Sequence, residues 1–214
     1  NVDCDFIQNN FGPKLDENPD DLKLAKNIFK LSYAGKCLDI PVFLKAIKVV
    51  YKQEPTYGLA RLIGNRSYLN ENWADALKFY SEAVDLTDEN AKKANLYLRQ
   101  GDIYNKQGKK SDARNMARKA LGEDTSLNEA YMLIGSLYFN SYDECKKGVN
   151  KVEDRAVFFA AYEYYRKAGD KTAMANAKAQ FPTMEEIFTY NMEVGQNIQC
   201  GCWIKEVVSI QRRD

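Results

Sequence analysis

Apolar residues recur along most of this chain at the three- and four-residue spacing of amphipathic helices. In the segment 22–33, Leu24, Ile28 and Leu31 form one stripe, and charged residues occupy the other faces. The same periodicity, together with polar signals for helix starts, predicts a succession of further helices. Their ranges are 3–15, with an interruption at Gly12-Pro13, and then 42–52, 57–69, 74–86, 90–106, 111–121, 128–139, 155–167 and 171–180.

Small residues recur in a fixed order within these predicted helices. Gly64, Gly101 and Gly135 are 37 and 34 residues apart, and a period near 34 residues is typical of stacked helical hairpins. Because glycine has no Cβ, we expect each one to lie where the two helices of a pair cross closely. Alanines that face the glycines or make room for the next pair follow in the second helices: Ala76, Ala113, Ala161, Ala83, Ala120 and Ala168.

One run of residues resembles a known repeat family. It comprises Tyr97, Gln100, Gly101, Tyr104, Gly108, Ala113, Ala117 and Ala120, in the order and spacing of a tetratricopeptide repeat. Four such units begin near Leu24, Tyr57, Ala94 and Asn128, and the first unit is degenerate. The resemblance implies an all-α fold, a right-handed superhelix of tetratricopeptide-type helical hairpins (an α-α solenoid), over roughly residues 22–180.

The expected organisation has three segments. Residues 1–21 are predicted to form an N-terminal capping helix, residues 22–180 about four helical hairpins, and residues 181–214 a C-terminal tail. The fourth unit is longer than the others because of a polar insertion at 141–153, which we interpret as a loop or a helix extension. Strand-forming residues in 198–211 favour a short β-hairpin that turns near Lys205-Glu206. An extended tail packed on the last helices is the alternative.

Four segments are similar to those of a narrower group, the secreted or periplasmic repeat proteins of Gram-negative gut anaerobes. They are FGPK at 11–14, AVFFAA at 156–161, FPTMEE at 181–186 and GCWI at 201–204. In that group the matching region follows a longer N-terminal part with a signal peptide. The resemblance implies a periplasmic or secreted location. The start at Asn1, without Met, leads us to expect a chain that is processed or cut from a longer one.

Charge and composition narrow the classes of function. The 31 lysines and arginines nearly balance the 30 aspartates and glutamates, and the two signs alternate along the chain, so no nucleic-acid partner is expected. The chain has no histidine, which removes the commonest general base and the commonest metal ligand. No stretch approaches the ~20 apolar residues of a membrane helix. We therefore expect no enzyme activity, cofactor, metal site or transmembrane segment.

The five cysteines are candidates for disulfide bonds, which an envelope location would favour. Cys4 begins the first predicted helix and Cys37 follows the second, so an antiparallel hairpin brings the two together. Cys145, in the insertion, can reach either Cys202 or Cys200 in the tail. The alternative is five free thiols in a reducing compartment. A redox pair or a metal clip at Cys200-Gly201-Cys202 is a weaker alternative, because the CxC spacing lacks the helix N-terminus that activates a CxxC thiol.

The tetratricopeptide resemblance also implies a binding surface, since in that family the first helix of each pair lines a concave groove. Carried over by position, the groove residues are Arg61, Asn65, Tyr68, Asn95, Arg99, Asp102, Asn105, Glu129, Met132, Ser136 and Phe139. An ordinary solvated polar face is the alternative interpretation of the same residues.

Part of this set resembles the carboxylate clamp of chaperone-binding members of the family. The residues that match are Arg61, Asn65, Asn95 and Arg99. The clamp is incomplete, because Glu129 and Leu133 stand where basic residues are needed in the next unit. A peptide with a carboxylate is therefore expected as the partner, but the tail of a chaperone is not.

The sequence thus predicts a non-enzymatic scaffold of the bacterial envelope that binds a protein or peptide in its concave groove. A component of a carbohydrate- or nutrient-binding envelope system is the first alternative. Trp73 speaks against it, because this residue falls at a usual packing position at the start of a second helix rather than on a sugar-stacking platform. A thiol redox protein, based on Cys200 and Cys202, is the second alternative.

Overall fold

The computed structural model describes residues 3–213 and divides the chain after Lys92 into two compact units. The helices of the first unit are α1 (Cys4–Glu17), α2 (Leu22–Ala34), α3 (Pro41–Gln53), α4 (Tyr57–Leu69) and α5 (Trp73–Asp85). The second unit contains most of α6 (Asn90–Lys106), then α7 (Lys110–Glu123), α8 (Asn128–Phe139), α9 (Tyr142–Cys145), α10 (Lys151–Asp154), α11 (Ala156–Ala168), α12 (Lys171–Ala179) and α13 (Met184–Thr189), with strands β1 (Asn197–Gln199) and β2 (Val207–Ser209). An all-α helical repeat with a short β tail confirms the predicted fold class.

Local signals in the sequence explain where most of these helices begin. The side chains of Asp21, Thr56 and Asn72 accept hydrogen bonds from backbone N–H groups in the first turns of α2, α4 and α5. Such caps satisfy donors that have no partner within the helix. Pro41 is the first residue of α3, where its missing N–H costs nothing. The ends of the helices predicted after α1 accordingly lie within two residues of their predicted ends, whereas α9, α10 and α13 had not been predicted as separate helices.

The first helix differs from the prediction, because α1 runs without a break through Gly12 and Pro13. A proline inside a helix removes one backbone hydrogen bond and costs about 3 kcal/mol. Burial offsets that cost, since Ile7 before the proline and Leu15 after it pack into the same hydrophobic cluster. Tertiary packing, which holds both halves of α1 on one core, therefore overrides the local helix-breaking signal.

Two of the recurring glycines lie at very close helix crossings, as the sequence predicts. A Cβ at Gly64 would lie 2.6 Å from the ring of Tyr80, and a Cβ at Gly135 would lie 2.6 Å from the ring of Tyr165. The groups that face these glycines most closely are thus tyrosine rings rather than the alanines expected from the sequence. The first ring is fixed at its far end, because the Tyr80 hydroxyl donates to Asn65 at 2.8 Å.

The crossing at Gly101 is built differently. The position that corresponds to Tyr80 and Tyr165 is occupied here by Ala117, which is buried but has no ring. A Cβ at Gly101 would instead lie 3.0 Å from Leu133 of α8 and 3.2 Å from the carbonyl oxygen of Ala113. Leu133 therefore fills the space that a tyrosine fills in the other two pairs.

The insertion at 141–153 forms two single helical turns, α9 and α10, joined by a loop. The carboxylate of Asp154 accepts hydrogen bonds from the backbone N–H groups of Lys147 and Gly148, at 2.7 and 3.0 Å. This buried carboxylate therefore fixes the loop on α10. The insertion is therefore neither a plain loop nor an extension of α8, since it contains two short helices that its polar sequence does not indicate.

The tail forms a two-stranded antiparallel hairpin in which Ile198 lies opposite Val208. Its turn was predicted at Lys205-Glu206 but lies at residues 201–204. Both Cys202 and Lys205 have positive φ angles, which bend the connection twice. The turn takes this path because it buries Ile204 in the core of the second unit, where this side chain is 2% exposed.

Candidate functional site

A groove of about 490 Å³ lies between α6 and α8 in the second unit. We call it the α6–α8 groove, and its lining is Asn95, Leu98, Arg99, Asp102, Asn105, Glu129, Met132, Leu133 and Ser136. On α6 these residues follow one another at three- and four-residue steps, so they occupy one face of the helix. The groove therefore follows directly from two parallel stripes on successive first helices.

The chemistry of the α6–α8 groove is mixed. Leu98, Met132 and Leu133 are half-buried and form an apolar strip. Asn95 and Arg99 are exposed beside that strip and offer amide and guanidinium donors. An apolar strip with a few polar groups along its edges is the usual composition of a site that holds a side chain and orients it.

Seven of the eleven residues expected in the groove are brought together there. They are Asn95, Arg99, Asp102, Asn105, Glu129, Met132 and Ser136. Two further lining residues, Leu98 and Leu133, were not among the expected ones. The signal for Leu98 is its position three residues after Asn95, on the same helix face.

Three expected residues lie on α4 in the first unit, where their neighbours are local. Arg61 lies over the ring of Tyr57, with Cζ 5.8 Å from the ring centre. Asn65 accepts the hydrogen bond from Tyr80, and Tyr68 packs edge-to-face against Trp73. Asn65 and Tyr68 thus contribute to packing within the α4–α5 pair.

Phe139 does not line the α6–α8 groove. It borders a separate depression with Tyr142 and Phe158, and its ring packs edge-to-face on Phe158. The insertion contributes to this depression, because the ring of Tyr142 at the start of α9 stacks on the same Phe158.

A network of polar groups anchors the tail to the helices of the second unit. The carboxylate of Glu206 accepts hydrogen bonds from the hydroxyls of Tyr138 and Tyr164 and from the guanidinium of Arg118. Burial, and then the bond to Glu206, raise the pKa of Tyr138 above its usual value, so this hydroxyl stays protonated. Arg114 adds hydrogen bonds to the carbonyl oxygens of residues 203 and 204.

The structure joins four of the five cysteines in two disulfides. Cys4 is bonded to Cys37, as expected, with the two Cα atoms 5.2 Å apart. Cys145 is bonded to Cys202, which resolves the alternative of Cys200. Cys200 is a buried free thiol, so Cys200 and Cys202 do not form a pair. A redox pair or metal clip made of these two residues is therefore not what the fold assembles.

Burial keeps the Cys200 thiol protonated. Removal from water, and secondly the nearby charge of Glu206, raise the pKa of Cys200 to about 12. We expect this thiol to resist iodoacetamide at pH 8 in the native protein and to react when the chain is unfolded in urea, because the thiolate is the nucleophile. Alkylation followed by peptide mass spectrometry measures both reactions.

The same pKa has a consequence for stability. Because the pKa of Cys200 is higher in the folded chain than its reference value of 9.0, its contribution to stability is complete below about pH 9 and is lost as the pH rises toward 12. Rapid alkylation of Cys200 in the native protein at pH 8 would contradict the raised pKa of this thiol.

None of the helices within residues 3–213 combines the length and the apolarity that crossing a membrane requires.

Comparisons with known proteins identify the class of fold. One crystal structure of MamA, a TPR-like helical protein, superposes with a TM-score of 0.53 over 80% of this chain and 88% of that chain, at 15% identity. A second crystal structure of MamA gives a TM-score of 0.51 over 88% of this chain and 86% of that chain, also at 15% identity. No protein-family model and no curated protein matches the sequence. These similarities show a helical repeat fold of the tetratricopeptide type.

Proposed function

We propose that this protein is a non-enzymatic scaffold that binds an extended peptide segment of a partner in the α6–α8 groove. The observation that carries the proposal is the convergence of seven expected residues and an apolar strip in one groove. Stacked helical repeats expose extended surfaces of this kind, and such surfaces are used for binding. The fold presents the groove on two successive first helices, α6 and α8.

The side chains suggest how the peptide is held. The fixed fork of the Arg99 guanidinium suits a carboxylate, because its donors lie in one plane. The amides of Asn95 and Asn105 can each donate to and accept from a peptide backbone. Met132 and the two leucines receive one apolar side chain, and the flexible thioether adapts to its shape.

We further propose that the protein works in an oxidising compartment, the periplasm or the cell exterior. Disulfides persist in such compartments and are rare where glutathione and thioredoxin keep thiols reduced. The two disulfides support this location, as does the resemblance of the sequence to secreted and periplasmic proteins.

Neither tryptophan favours the carbohydrate-binding alternative. Trp73 packs edge-to-face on Tyr68. Trp203 is covered by Arg114, with Cζ 5.0 Å from the ring centre, and by the ring of Tyr138. A sugar needs an open aromatic face for stacking, and both indole rings are already engaged.

A displayed library of random peptides tests the binding proposal. Selection on the native protein should enrich peptides that carry a carboxylate, and their affinity should fall by about tenfold or more in Arg99→Ala combined with Asn105→Ala, because charged and amide hydrogen bonds are lost. Fluorescence polarisation at two salt concentrations measures the change, and high salt should weaken the native complex more than the variant complex.

The control variant is Lys171→Ala, which removes an exposed charge of the second unit at the start of α12, outside the groove. It should bind the selected peptides as the native protein does. If the groove variant and Lys171→Ala bind equally well, or if no peptide is enriched, the groove is not the binding site.

A further inference from the structure

Three potential metal ligands lie together at the Cys145–Cys202 disulfide. A carboxylate oxygen of Glu144 and the sulfurs of Cys145 and Cys202 are all within 4.8 Å of one another. Glu144 and Cys145 come from α9, and Cys202 comes from the loop of the tail hairpin. The insertion and the tail, which both depart from the repeat pattern, therefore meet at this cluster.

We infer that reduction of this disulfide creates a binding site for a thiophilic divalent ion of the Zn²⁺ type, with Cys145, Cys202 and Glu144 as ligands and a water molecule as the fourth. In the oxidising compartment proposed above the disulfide is the resting state, so the site forms only where a dithiol reductant acts on it. The reductant supplies the two electrons and two protons that convert the disulfide into two thiols, and is itself oxidised to a disulfide. Binding of the metal ion then releases the two thiol protons, because the thiolate is the ligand. The oxidised and metal-bound states therefore exclude each other.

The donor set suits this class of ion. Zinc prefers thiolate sulfur, imidazole nitrogen and carboxylate oxygen in a tetrahedral arrangement, and sites with three protein ligands keep one position for water. Two thiolates and Glu144 carry three negative charges, and the nearby ammonium of Lys110, 3.0 Å from Glu144, offsets one of them. A divalent cation neutralises the remainder.

Contacts other than the S–S bond keep the ligands in place after reduction. The loop that carries Cys202 is held by the buried side chain of Ile204 and by the hydrogen bonds of Arg114 to two of its carbonyl oxygens. The carboxylate network around Glu206 holds the end of the same loop. Cys145 is fixed by the backbone hydrogen bond from its N–H to Ser141. The two thiols are therefore expected to remain neighbours.

Glu144 is already oriented as a ligand. Its Oε1 accepts hydrogen bonds from Lys110 at 3.0 Å and from the indole N–H of Trp203 at 2.8 Å. A hydrogen bond with Ser141 adds to these two, so three neighbours set the position of the carboxylate beside the two sulfurs. Outer partners of this kind orient ligating carboxylates and commonly change metal affinity by about 10–100-fold.

The test uses the full chain, reduced without oxygen by a dithiol and then freed of the reductant. Titration with Zn²⁺ against a chromophoric chelator should give one ion per chain, and Co²⁺ should give sulfur-to-metal charge-transfer absorption. Cys145→Ser and Cys202→Ser should each lower the affinity by at least about 100-fold, and Glu144→Gln by at least about tenfold. The fluorescence of Trp203 should change in step with metal binding, because its indole contacts Glu144.

Two control variants separate this site from the other thiols. Cys4→Ser combined with Cys37→Ser should leave the zinc affinity unchanged, since no third potential ligand joins that pair among residues 3–213. Cys200→Ser should also leave it unchanged, because Cys200 is buried.

Several outcomes would overturn the inference. They are no zinc binding by the reduced chain, equal affinity in Glu144→Gln and the native protein, and loss of binding in Cys200→Ser. Hydrogen exchange that shows the tail released on reduction would also overturn it, because the ligands would then no longer converge.

Discussion

Substitution of Gly135 by leucine is expected to lower the free energy of unfolding by about 3 kcal/mol, because it forces a side chain into a filled helix crossing. Even the first carbon of that side chain would lie 2.6 Å from the ring of Tyr165 and 3.3 Å from the carbonyl oxygen of Ala161. The ring can turn aside only by displacing its neighbours, and the backbone oxygen moves only with α11. Urea denaturation followed by circular dichroism measures the loss.

The smallest form of this substitution, Gly135→Ala, has Gly122→Ala as its matched control. Gly122 lies in the last turn of α7, and apart from its chain neighbours and the backbone of its own helix nothing lies within 4 Å of a Cβ placed there. Alanine is a better helix former than glycine by about 1 kcal/mol, so this variant should be as stable as the native chain or more so. Equal destabilisation by Gly135→Ala and Gly122→Ala would show that the crossing is not as close as the structure places it.

The second large effect is expected at the Cys4–Cys37 disulfide. The two residues are 33 positions apart, and the loop-entropy relation gives a stabilisation of up to about 4 kcal/mol for a ring of that size. Cys4→Ser combined with Cys37→Ser should lower the urea midpoint of the first unit accordingly. Peptide mapping without reductant should recover Cys4 and Cys37 in one linked fragment of the native protein.

A reductant provides the control for that measurement. When the native protein is reduced, its S–S bonds open, and its stability should approach that of the double-serine variant in the first unit. If the double-serine variant is still less stable than the native protein under reducing conditions, the loss of stability comes from replacing the side chains and not from the missing disulfide. Two free thiols at Cys4 and Cys37 in the aerobically purified protein would contradict the assigned bond.

The sequence determined most of the long helices because their causes are local. The ends of α4, α6 and α8 were predicted to the residue, and caps such as Thr56 and the 3.6-residue period explain why. The same period placed Asn95, Arg99 and Asp102 on one face of α6, and the resemblance to tetratricopeptide repeats indicated that this face lines a groove. What spacing cannot provide is the apolar strip, which depends on how α8 packs against α6.

Tertiary structure decided the features whose causes lie far away in the chain. The helix α1 passes through Pro13 because Ile7 and Leu15 share one core with α2 and α3. The turn of the tail is displaced because burying Ile204 stabilises a path with positive φ at Cys202 and Lys205. Neither result can be derived from local propensity, since each one is a balance between backbone cost and the burial of distant apolar groups.

The choice between the two tail cysteines shows the same division. The sequence identified Cys200 and Cys202 as candidate partners of Cys145, but their spacing gives no reason to choose between them. In the folded chain Cys200 directly follows β1 and is buried in the core. Cys202 has a left-handed backbone conformation, and its sulfur is bonded to Cys145 of α9. Local pattern thus determined the repeats, their exposed stripes and the pairing of Cys4 with Cys37. The choice of Cys202 over Cys200, the position of the turn and the continuity of α1 were decided by which side chains the assembled core could bury.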